Sequence, residues 1–535
     1  MIALTLAEIA AITSGTLHDA PDPSAQVTAP AACDSRQVGT GGMFAALPGA
    51  RADGHDFAAQ ALAAGAVCVL AARPVDGPAV VVPDVTAALG TLARHILGQL
   101  TDATVIALTG SSGKTTTKDM LRHVLSQHGP VIAPPGSFNT EIGLPLTVLQ
   151  AGRTTRYLVL EMGTRHLGDI RYLTTLAPPQ IGIVLNVGSA HIGEFGSRQA
   201  IAQAKAELVE ALPDAAHGGV AILNTDDPLV AAMAARTTAR TVSYGTGQAG
   251  IRATGISLGG GRASFTLHTP AGPAPVSLRL LGGHQVHNAL AVAAAAYTLG
   301  MGTAQIAAAL STAEPSPGRL QILDFPGGIT VINDAFNANP ESMTAGLRSF
   351  AAYAGNRRMV AVLGEMRELG PGAQAAHHAI GTLVAELGIH LLITVGNGHA
   401  DDLARAARSS PTPPVIESAP GCAGLRPSGA DAPRPGVSCG PAAPGRAGHV
   451  CGARSGVRSG TGPQYGAAGG RLACSRLVTS GNGAAMTWLT TRVTRSVSWR
   501  PSTWTPAPTC RRSVRSRSGC RPGTGWCSCL LTRPP

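Results

Sequence analysis

Short apolar runs alternate with Ala-rich stretches of helical periodicity over most of the chain before residue 421. In the middle of the chain, apolar runs predict strands at residues 105–108, 157–160, 181–185 and 220–223. Strands that alternate with helices pack as a mostly parallel sheet with helices on both faces. The pattern therefore predicts an α/β domain over residues 101–313.

Two further α/β segments are predicted on either side of this region. In the first, residues 1–100, a helix-like stretch at 56–64 is followed by strands at 66–70 and 79–82. The second, residues 314–420, begins with a Pro-rich stretch that interrupts the preceding helix, and its strands are predicted at 329–332, 359–363 and 391–395. Because 535 residues are too many for one core, we predict an α/β protein of three domains.

Residues 421–535 differ in composition from the rest of the chain. From Ala419 onward there are sixteen Arg, no Lys, one acid, all four Trp and eight of the ten Cys. This segment therefore carries a net charge of +15, and the rest of the chain carries −4, which together give the net charge of +11. A disordered basic arm that binds nucleic acid and a Cys-rich metal module are two interpretations, but the cysteines lack zinc-ligand spacing. We favour a third, out-of-frame translation of a GC-rich gene. We therefore expect a low-complexity tail, an incomplete third domain and no nucleic-acid partner.

Membrane insertion and secretion are not expected from the sequence. The most apolar stretch, residues 289–310, is mostly Ala and is interrupted by Gly300, Gly302 and Gln305. Residues 1–15 have no basic residue before their apolar run and contain Glu8, so they lack the signal-peptide pattern and are interpreted as a helix. We expect a soluble, cytoplasmic protein, with a monomer as the default assembly.

A phosphate-binding loop is the strongest chemical signal. Residues 109–117, TGSSGKTTT, lie between a predicted strand and a predicted helix at 114–123. Loop amides and a helix N-terminus bind phosphates, while Lys114 can neutralise their charge and the Thr115 hydroxyl can ligate magnesium. A simple glycine turn is the alternative. The candidate nucleotide-binding residues are Gly110, Ser111, Ser112, Gly113, Lys114, Thr115 and Thr116.

Two metal-ligand candidates follow neighbouring predicted strands. Glu161 comes directly after the strand at 157–160, and His191 follows the strand at 181–185. The carboxyl ends of parallel strands face the ligand crevice of an open sheet. A carboxylate and an imidazole beside a phosphate loop can hold magnesium that bridges ATP and an acid substrate, although each could also be structural.

The phosphate loop is short, with only two residues between Gly110 and Gly113, and this TGxxGKT form resembles the Mur ligase and folylpolyglutamate synthetase superfamily. That superfamily forms amide bonds through acyl phosphates. Three further stretches resemble the same family: residues 201–207 (IAQAKAE), 283–290 (GHQVHNAL) and 316–320 (SPGRL).

The resemblance implies ATP and two Mg²⁺ ions as cofactors. Lys205 corresponds to a lysine that is carbamylated in the family and helps hold the second ion, so the implied metal ligands are Thr115, Glu161, His191 and Lys205. Asn288 corresponds to a residue whose amide lies against adenine. Arg319 corresponds to a linker arginine that reaches the nucleotide when the domains close, so the implied catalytic residues are Lys114, Lys205, His191 and Arg319.

Other motifs indicate the branch of the family. Residues 34–36 (DSR), 44–49 (FAALPG) and 53–57 (DGHDF) resemble a UDP-binding domain, with Ser35 and Arg36 at the substrate. Residues 138–145 (FNTEIGLP), 333–343 (NDAFNANPESM) and 364–370 (GEMRELG) resemble ligases that add D-alanyl-D-alanine to UDP-N-acetylmuramoyl-tripeptide. The implied contacts are Asn139, Asn337 and Asn339 with substrate, and Asp334 with nucleotide.

The resemblance thus implies three domains: a UDP-binding α/β domain, a central P-loop ATPase domain and a Rossmann-like third domain. The runner-up is the ligase that forms the UDP-N-acetylmuramoyl-tripeptide, although its DNPR motif is absent. A ligase-derived nucleotide-binding protein without activity is the other alternative. It remains open because the family's K-[GA]-S-R motif is missing and no lysine follows Lys205.

Overall fold

The computed structural model describes residues 1–49 and 52–419, together with the backbone of residues 486–491. Apart from that short segment, the tail predicted from residue 421 to 535 lies outside the described residues. The described part of the chain is α/β, as predicted, and forms four β-sheets. None of its helices combines the length and the apolar character that crossing a membrane requires.

The N-terminal region is a small α/β unit. In chain order it contains β1 (Leu4–Thr5), α1 (Leu6–Thr13), β2 (Thr16–His18), β3 (Gln26–Val27), β4 (Met43–Ala45), α2 (Ala58–Ala63), β5 (Cys68–Ala71), β6 (Ala79–Val81) and α3 (Val85–Gly98). Its four-stranded sheet has the order β2-β6-β5-β4, with only β2 antiparallel to its neighbour.

The first helix is shorter than the sequence predicted. Thr5 Oγ1 accepts a hydrogen bond from Glu8 N at 3.1 Å, and the Glu8 carboxylate accepts one from Thr5 N at 2.7 Å. This capping box begins α1 at Leu6. The residues before it pair with β3 instead of extending the helix.

The middle region forms the largest sheet of the described chain. Its elements are β7 (Thr104–Thr109), α4 (Lys114–Leu125), β8 (Val131–Ile132), α5 (Gly143–Val148), β9 (Tyr157–Glu161), α6 (Asp169–Leu176), β10 (Ile181–Val184), α7 (Ile192–Phe195), α8 (Arg198–Glu210), β11 (Val220–Asn224), α9 (Pro228–Ala231), β12 (Arg240–Gly245), β13 (Ile251–Gly259), β14 (Arg262–Thr269), β15 (Gly272–Leu281), α10 (Gln285–Thr298) and α11 (Thr303–Thr312).

This sheet has the strand order β15-β14-β13-β12-β11-β10-β7-β9-β8. The strands from β8 to β13 are parallel, and β14 and β15 extend the sheet as antiparallel strands. The predicted parallel sheet is confirmed, whereas the antiparallel extension was not foreseen.

Side chains of the central strands alternate between two cores. On β7, Ile106 and Leu108 pack in the cluster that contains α4 and α10, while Val105 and Ala107 pack in the cluster that contains α3 and α8. A strand buried on both faces is the expected result of covering a parallel sheet with helices on each side. Both layers therefore hold the carboxyl ends of β7, β9 and β10 in fixed positions.

The third region carries a six-stranded sheet. Its elements are β16 (Gln321–Phe325), β17 (Ile329–Asn333), α12 (Pro340–Ala354), β18 (Arg358–Gly364), α13 (Ala373–Glu386), β19 (Leu391–Val395), α14 (His399–Arg408), β20 (Val415–Ala419) and β21 (Met486–Thr491). The order is β16-β17-β21-β18-β19-β20.

Strand β21 was not predicted, because the sequence after residue 420 showed no usable periodicity. It lies between β17 and β18 and is antiparallel to both. Strands β17 and β18 are consequently parallel to each other and are separated by one strand position. Six residues of the tail thus add a strand to the third sheet, which the sequence analysis did not foresee.

Candidate active site

The phosphate loop lies between β7 and α4, as predicted. Gly113 has a left-handed backbone with φ of +82°, and α4 begins at the next residue, Lys114. A Cβ atom on Gly113 would lie 2.5 Å from Asn288 Oδ1, so the close approach of α10 requires glycine here. Lys114 Nζ donates to Gly110 O at 2.8 Å, which holds the ammonium group against the loop.

Asn186, at the end of β10, fixes the shape of this loop. Its Oδ1 accepts from Ser111 N at 3.0 Å and from Ser112 N at 2.9 Å, while its Nδ2 donates to Ser112 O at 3.1 Å. Asn186 was not among the site residues predicted from the sequence. Its position after a buried strand, beside the predicted phosphate loop, was the available signal.

Glu161 occupies the end of β9 and is buried, with 1% of its surface exposed. One carboxylate oxygen accepts from Thr115 Oγ1 at 3.0 Å, and the other accepts from Asn139 Nδ2 at 2.7 Å. The loop hydroxyl, the strand-end carboxylate and the Asn139 amide are thus in direct contact. Sequence reasoning had predicted all three as ligand-binding residues.

Two lysines and a histidine line the same space. Burial lowers the pKa of Lys114, and the Glu161 carboxylate opposes that change. Burial, together with the charge of Lys114, holds the pKa of Lys205 well below its ordinary value. His191 has a left-handed backbone with φ of +61°, and burial lowers its pKa against the opposing effect of Glu368.

Arg319 enters the cavity from the linker between the middle and third regions. Its guanidinium Cζ lies 4.1 Å from the centroid of the Phe336 ring, and Nη2 is 3.4 Å from Thr115 Oγ1. Among the described residues, Arg319 Nε is one of four buried side-chain polar atoms without a partner. A buried guanidinium that lies beside a phosphate loop and has one nitrogen without a partner is suited to an anionic ligand. Burial raises the pKa of nearby Asp334 to about 7, opposed by Arg319.

Two third-region carboxylates contact the middle region. Glu341, in the first turn of α12, accepts from Ser189 N at 2.8 Å and from Ser189 Oγ at 3.0 Å. The Glu368 carboxylate pairs with His191 Nδ1 and lies 3.4 Å from Arg165 Nη2. Neither carboxylate was named as a site residue from the sequence, since only the tertiary structure places them opposite the central sheet.

These groups surround one cavity of about 1270 Å³. Of the predicted site residues, its lining includes Gly110, Ser111, Ser112, Gly113, Lys114, Thr115, Thr116, Asn139, Glu161, His191, Lys205, Asn288, Arg319, Asp334, Asn337 and Asn339. Ser35 and Arg36 are not among the lining residues. In the N-terminal region, Ser35 Oγ donates to Gln60 Oε1, and exposed Arg36 pairs with Asp34.

The fold and this cavity define a nucleotide-dependent enzyme of the P-loop type, with a carboxylate beside its phosphate loop. Three domain families match the chain: the Mur ligase family catalytic domain over residues 31–101, the Mur ligase middle domain over 108–296 and the Mur ligase glutamate ligase domain over 318–421. The chain belongs to the Mur ligase family, whose members are ATP-dependent ligases.

Two relatives from different organisms carry the same enzyme name. The chain is 50% identical over 433 residues to the UDP-N-acetylmuramoyl-tripeptide–D-alanyl-D-alanine ligase of Mycobacterium tuberculosis, covering 75% of this chain and 84% of that protein. It is 37% identical over 401 residues to the ligase of the same name from Escherichia coli, covering 74% and 86%.

Solved structures give the same result. A MurF crystal structure from Acinetobacter baumannii aligns with a TM-score of 0.68 at 34% identity, covering 78% of this chain and 89% of that one. A MurF ligase from Thermotoga maritima in complex with ADP aligns with a TM-score of 0.61 at 28% identity, covering 73% and 94%.

Proposed function

We propose that this protein is an ATP-dependent ligase that joins D-alanyl-D-alanine to UDP-N-acetylmuramoyl-tripeptide. The observation that carries the proposal is the convergence of Lys114, Glu161 and Arg319 on one cavity between the middle and third regions. The named relatives support the choice of substrates. The motif at residues 333–343, whose Asn337 and Asn339 line the cavity, supports the dipeptide over a single diamino acid.

The reaction has two steps. The terminal carboxylate of the tripeptide attacks the γ-phosphorus of ATP, which forms an acyl phosphate and releases ADP. The dipeptide amine then attacks the acyl carbon, the tetrahedral intermediate collapses, and phosphate leaves with the new amide in place. Lys114 and Arg319 stabilise the negative charge on the transferring group, since both cations face the loop that binds phosphate.

The donor set at the loop is suited to magnesium. The Thr115 hydroxyl and the Glu161 carboxylate provide the oxygen ligands that Mg²⁺ prefers. No cluster of three His, Cys, Asp or Glu residues that could hold a metal alone occurs among the described residues, and Mg²⁺ is usually bound by one or two carboxylates together with substrate phosphates. Thr115, Glu161, His191 and Lys205 would hold two such ions, which would supply positive charge beside the phosphates.

Lys205 is assigned as a carbamylated residue. Its depressed pKa favours the neutral amine, which can add to carbon dioxide and give a carbamate with two oxygen donors. The variant Lys205→Glu, which places a carboxylate nearby without carbamylation, should retain more activity than Lys205→Arg. If Lys205→Arg is the more active variant, this assignment fails.

The N-terminal region is assigned to the UDP part of the substrate, through Ser35 and Arg36. Both residues lie outside the cavity, and a nucleotide-linked peptide is long enough to bind at one region and react at another. We further propose a monomer acting in the cytoplasm, where ATP and UDP-linked precursors are available.

The proposal is tested by phosphate release from ATP by the full chain. The assay contains UDP-N-acetylmuramoyl-tripeptide and is run with and without D-alanyl-D-alanine. Release that depends on the dipeptide is expected. Release that depends on a diamino acid, with UDP-N-acetylmuramoyl-dipeptide as the acceptor, would instead support the tripeptide-forming alternative. Nucleotide binding without turnover with either pair would indicate an inactive ligase.

A further inference from the structure

Lys118 is a buried cation that the reaction described above does not use. It lies one helical turn after Lys114 on α4, and none of its surface is exposed to solvent. Buried lysines are rare unless their charge is paired and hydrogen-bonded. The contacts of its amino group should therefore show how the protein accommodates it.

The ammonium group of Lys118 has three acceptors at hydrogen-bond distance. Nζ lies 2.5 Å from Pro134 O, 2.8 Å from Gly136 O and 2.9 Å from Asp119 Oδ1. Two of these contacts are hydrogen bonds to loop carbonyls, and the third is an ion pair with Asp119. Two of the three acceptors are backbone carbonyl oxygens of one loop, those of Pro134 and Gly136.

That loop leads directly to the reaction site. After Gly136 the loop continues with residues that line the cavity, namely Ser137, Asn139 and Thr140. The Asn139 side chain donates to Glu161, and its carbonyl accepts from Gly163 N at 2.9 Å. The position of the Asn139 amide thus depends on where the preceding residues are held.

Asp119 extends the same network towards the third region. Its second carboxylate oxygen, Oδ2, accepts from Ser316 Oγ at 2.5 Å. Ser316 is three residues before Arg319 in the linker, and Arg319 N donates to Ser316 O at 3.1 Å. Helix α4 therefore contacts both the loop with Asn139 and the linker with Arg319.

The amino-acid composition supports a requirement for lysine at this position. Only three of the 41 Lys and Arg residues of the chain are lysines, and they are Lys114, Lys118 and Lys205, all on the two helices beside the cavity. The donors of an ammonium group all radiate from one nitrogen, whereas those of a guanidinium are spread over a larger, planar group. A guanidinium is therefore a poor match for three acceptors that surround one buried point. The three acceptors around Nζ suit the compact ammonium group of a lysine.

We propose that Lys118 is a positioning residue for the peptide-bearing substrate. It fixes residues 134–140 against the phosphate-loop helix, so that Asn139 is held in place before substrate binds. This inference rests on the proposed function, because it assigns the loop to the UDP-muramoyl peptide rather than to ATP. Lys118 itself touches neither reacting group.

The test is the steady-state kinetics of Lys118→Met in the full chain, with KM measured separately for ATP and for UDP-N-acetylmuramoyl-tripeptide. Methionine keeps an unbranched side chain that is one atom shorter, and it removes the three donors. We expect KM for the tripeptide to rise about tenfold or more, equivalent to about 1.4 kcal/mol, while KM for ATP changes less than about threefold. Arg122→Met, which removes an exposed charge from the same helix, is the matched control and should change neither KM appreciably.

Two outcomes would overturn the proposal. Unchanged KM for the tripeptide would show that the loop is positioned without Lys118, and equal increases in both KM values would show a general structural role. Lys118→Arg should not restore the KM for the tripeptide to its wild-type value, because a guanidinium is larger and planar. A wild-type chain without dipeptide-dependent turnover would count against the proposed function instead.

A second measurement covers the case in which Lys118→Met does not fold. Amine-selective acetylation of the wild-type chain, read by mass spectrometry, is easily assigned because there are only three lysines. Lys118 should be protected in the folded protein and become reactive after denaturation. Labelling of Lys118 as rapid as that of the N-terminal amine would contradict the network.

Discussion

The central sheet and the third-region sheet differ in how the chain completes them. Strands β7 to β12 of the central sheet come from one uninterrupted run of βα units, and the phosphate loop, Glu161 and Asn186 follow three neighbouring strands. In the third region, β17 and β18 flank a position that is filled by residues 486–491, far along the chain. The candidate site is thus built mainly on the sheet that the continuous chain forms, and the third region contributes single side chains across the junction.

The largest effect is expected from the central sheet. Lys114→Met removes the loop cation that faces the transferring phosphate, so kcat/KM for ATP should fall by a factor of about 10² to 10³ or more. The folded state should persist, because Lys114 bonds only a loop carbonyl, Gly110 O. A fall of less than about tenfold in phosphate release would contradict the role assigned to Lys114.

The next effect concerns β21. A proline at its centre, Leu489→Pro, removes a backbone donor from a strand that pairs on both sides and should cost about 3 kcal/mol or more. Hydrogen exchange of the amides of β17 and β18 should then accelerate, while exchange in the central sheet changes little. Leu489→Val retains the backbone donor and serves as the control. Equal exchange in Leu489→Pro and wild type would show that β21 does not stabilise the third sheet.

A smaller effect is expected at the junction of the two regions. Glu341→Ala removes two hydrogen bonds to Ser189, which should lower kcat by about three- to tenfold with little change in melting temperature. Glu386→Ala removes an exposed carboxylate from α13, away from the cavity lining. If both variants lose the same activity, the Glu341 contact has no special role in closing the site.

The smallest effect is a pH dependence of stability. The pKa of Asp334 is raised from 3.8 to about 7 by burial, so its contribution to stability is present at low pH and is lost as pH rises through about 7. Asp334→Asn removes this titration. Denaturant unfolding of both proteins from pH 5 to pH 8 should show wild type losing stability relative to the variant. A constant difference across that range would argue against the raised pKa.

Much of the fold could be predicted because, in the βα units, the apolar and polar pattern of the sequence matches the secondary structure that forms. The strands predicted at 181–185 and 391–395 are observed at Ile181–Val184 and Leu391–Val395, since buried parallel strands are continuous apolar runs. The β13 to β15 strands were missed because they are half exposed and alternate with polar residues. Strand β21 was missed because its pairing depends on a gap in a distant sheet, which the local sequence does not reveal.

The site was predictable where a residue follows a strand or sits in a glycine loop. Glu161 and Lys114 meet that condition, and the structure places both in the cavity. Glu341 and Glu368 do not, because their contacts exist only across the junction. Lys118 was not predicted, although lysine is scarce in this arginine-rich chain and the other two lysines, Lys114 and Lys205, were both predicted site residues.

The central claim is that the cavity activates a substrate carboxylate through an acyl phosphate, and oxygen transfer tests it most directly. UDP-N-acetylmuramoyl-tripeptide labelled with ¹⁸O in its terminal carboxylate is incubated with the full chain, ATP and D-alanyl-D-alanine. The released phosphate is then analysed by mass spectrometry. The account predicts one ¹⁸O atom in each phosphate formed with a new amide bond, because the attacking carboxylate oxygen leaves with phosphorus. Amide formation with unlabelled phosphate would contradict it.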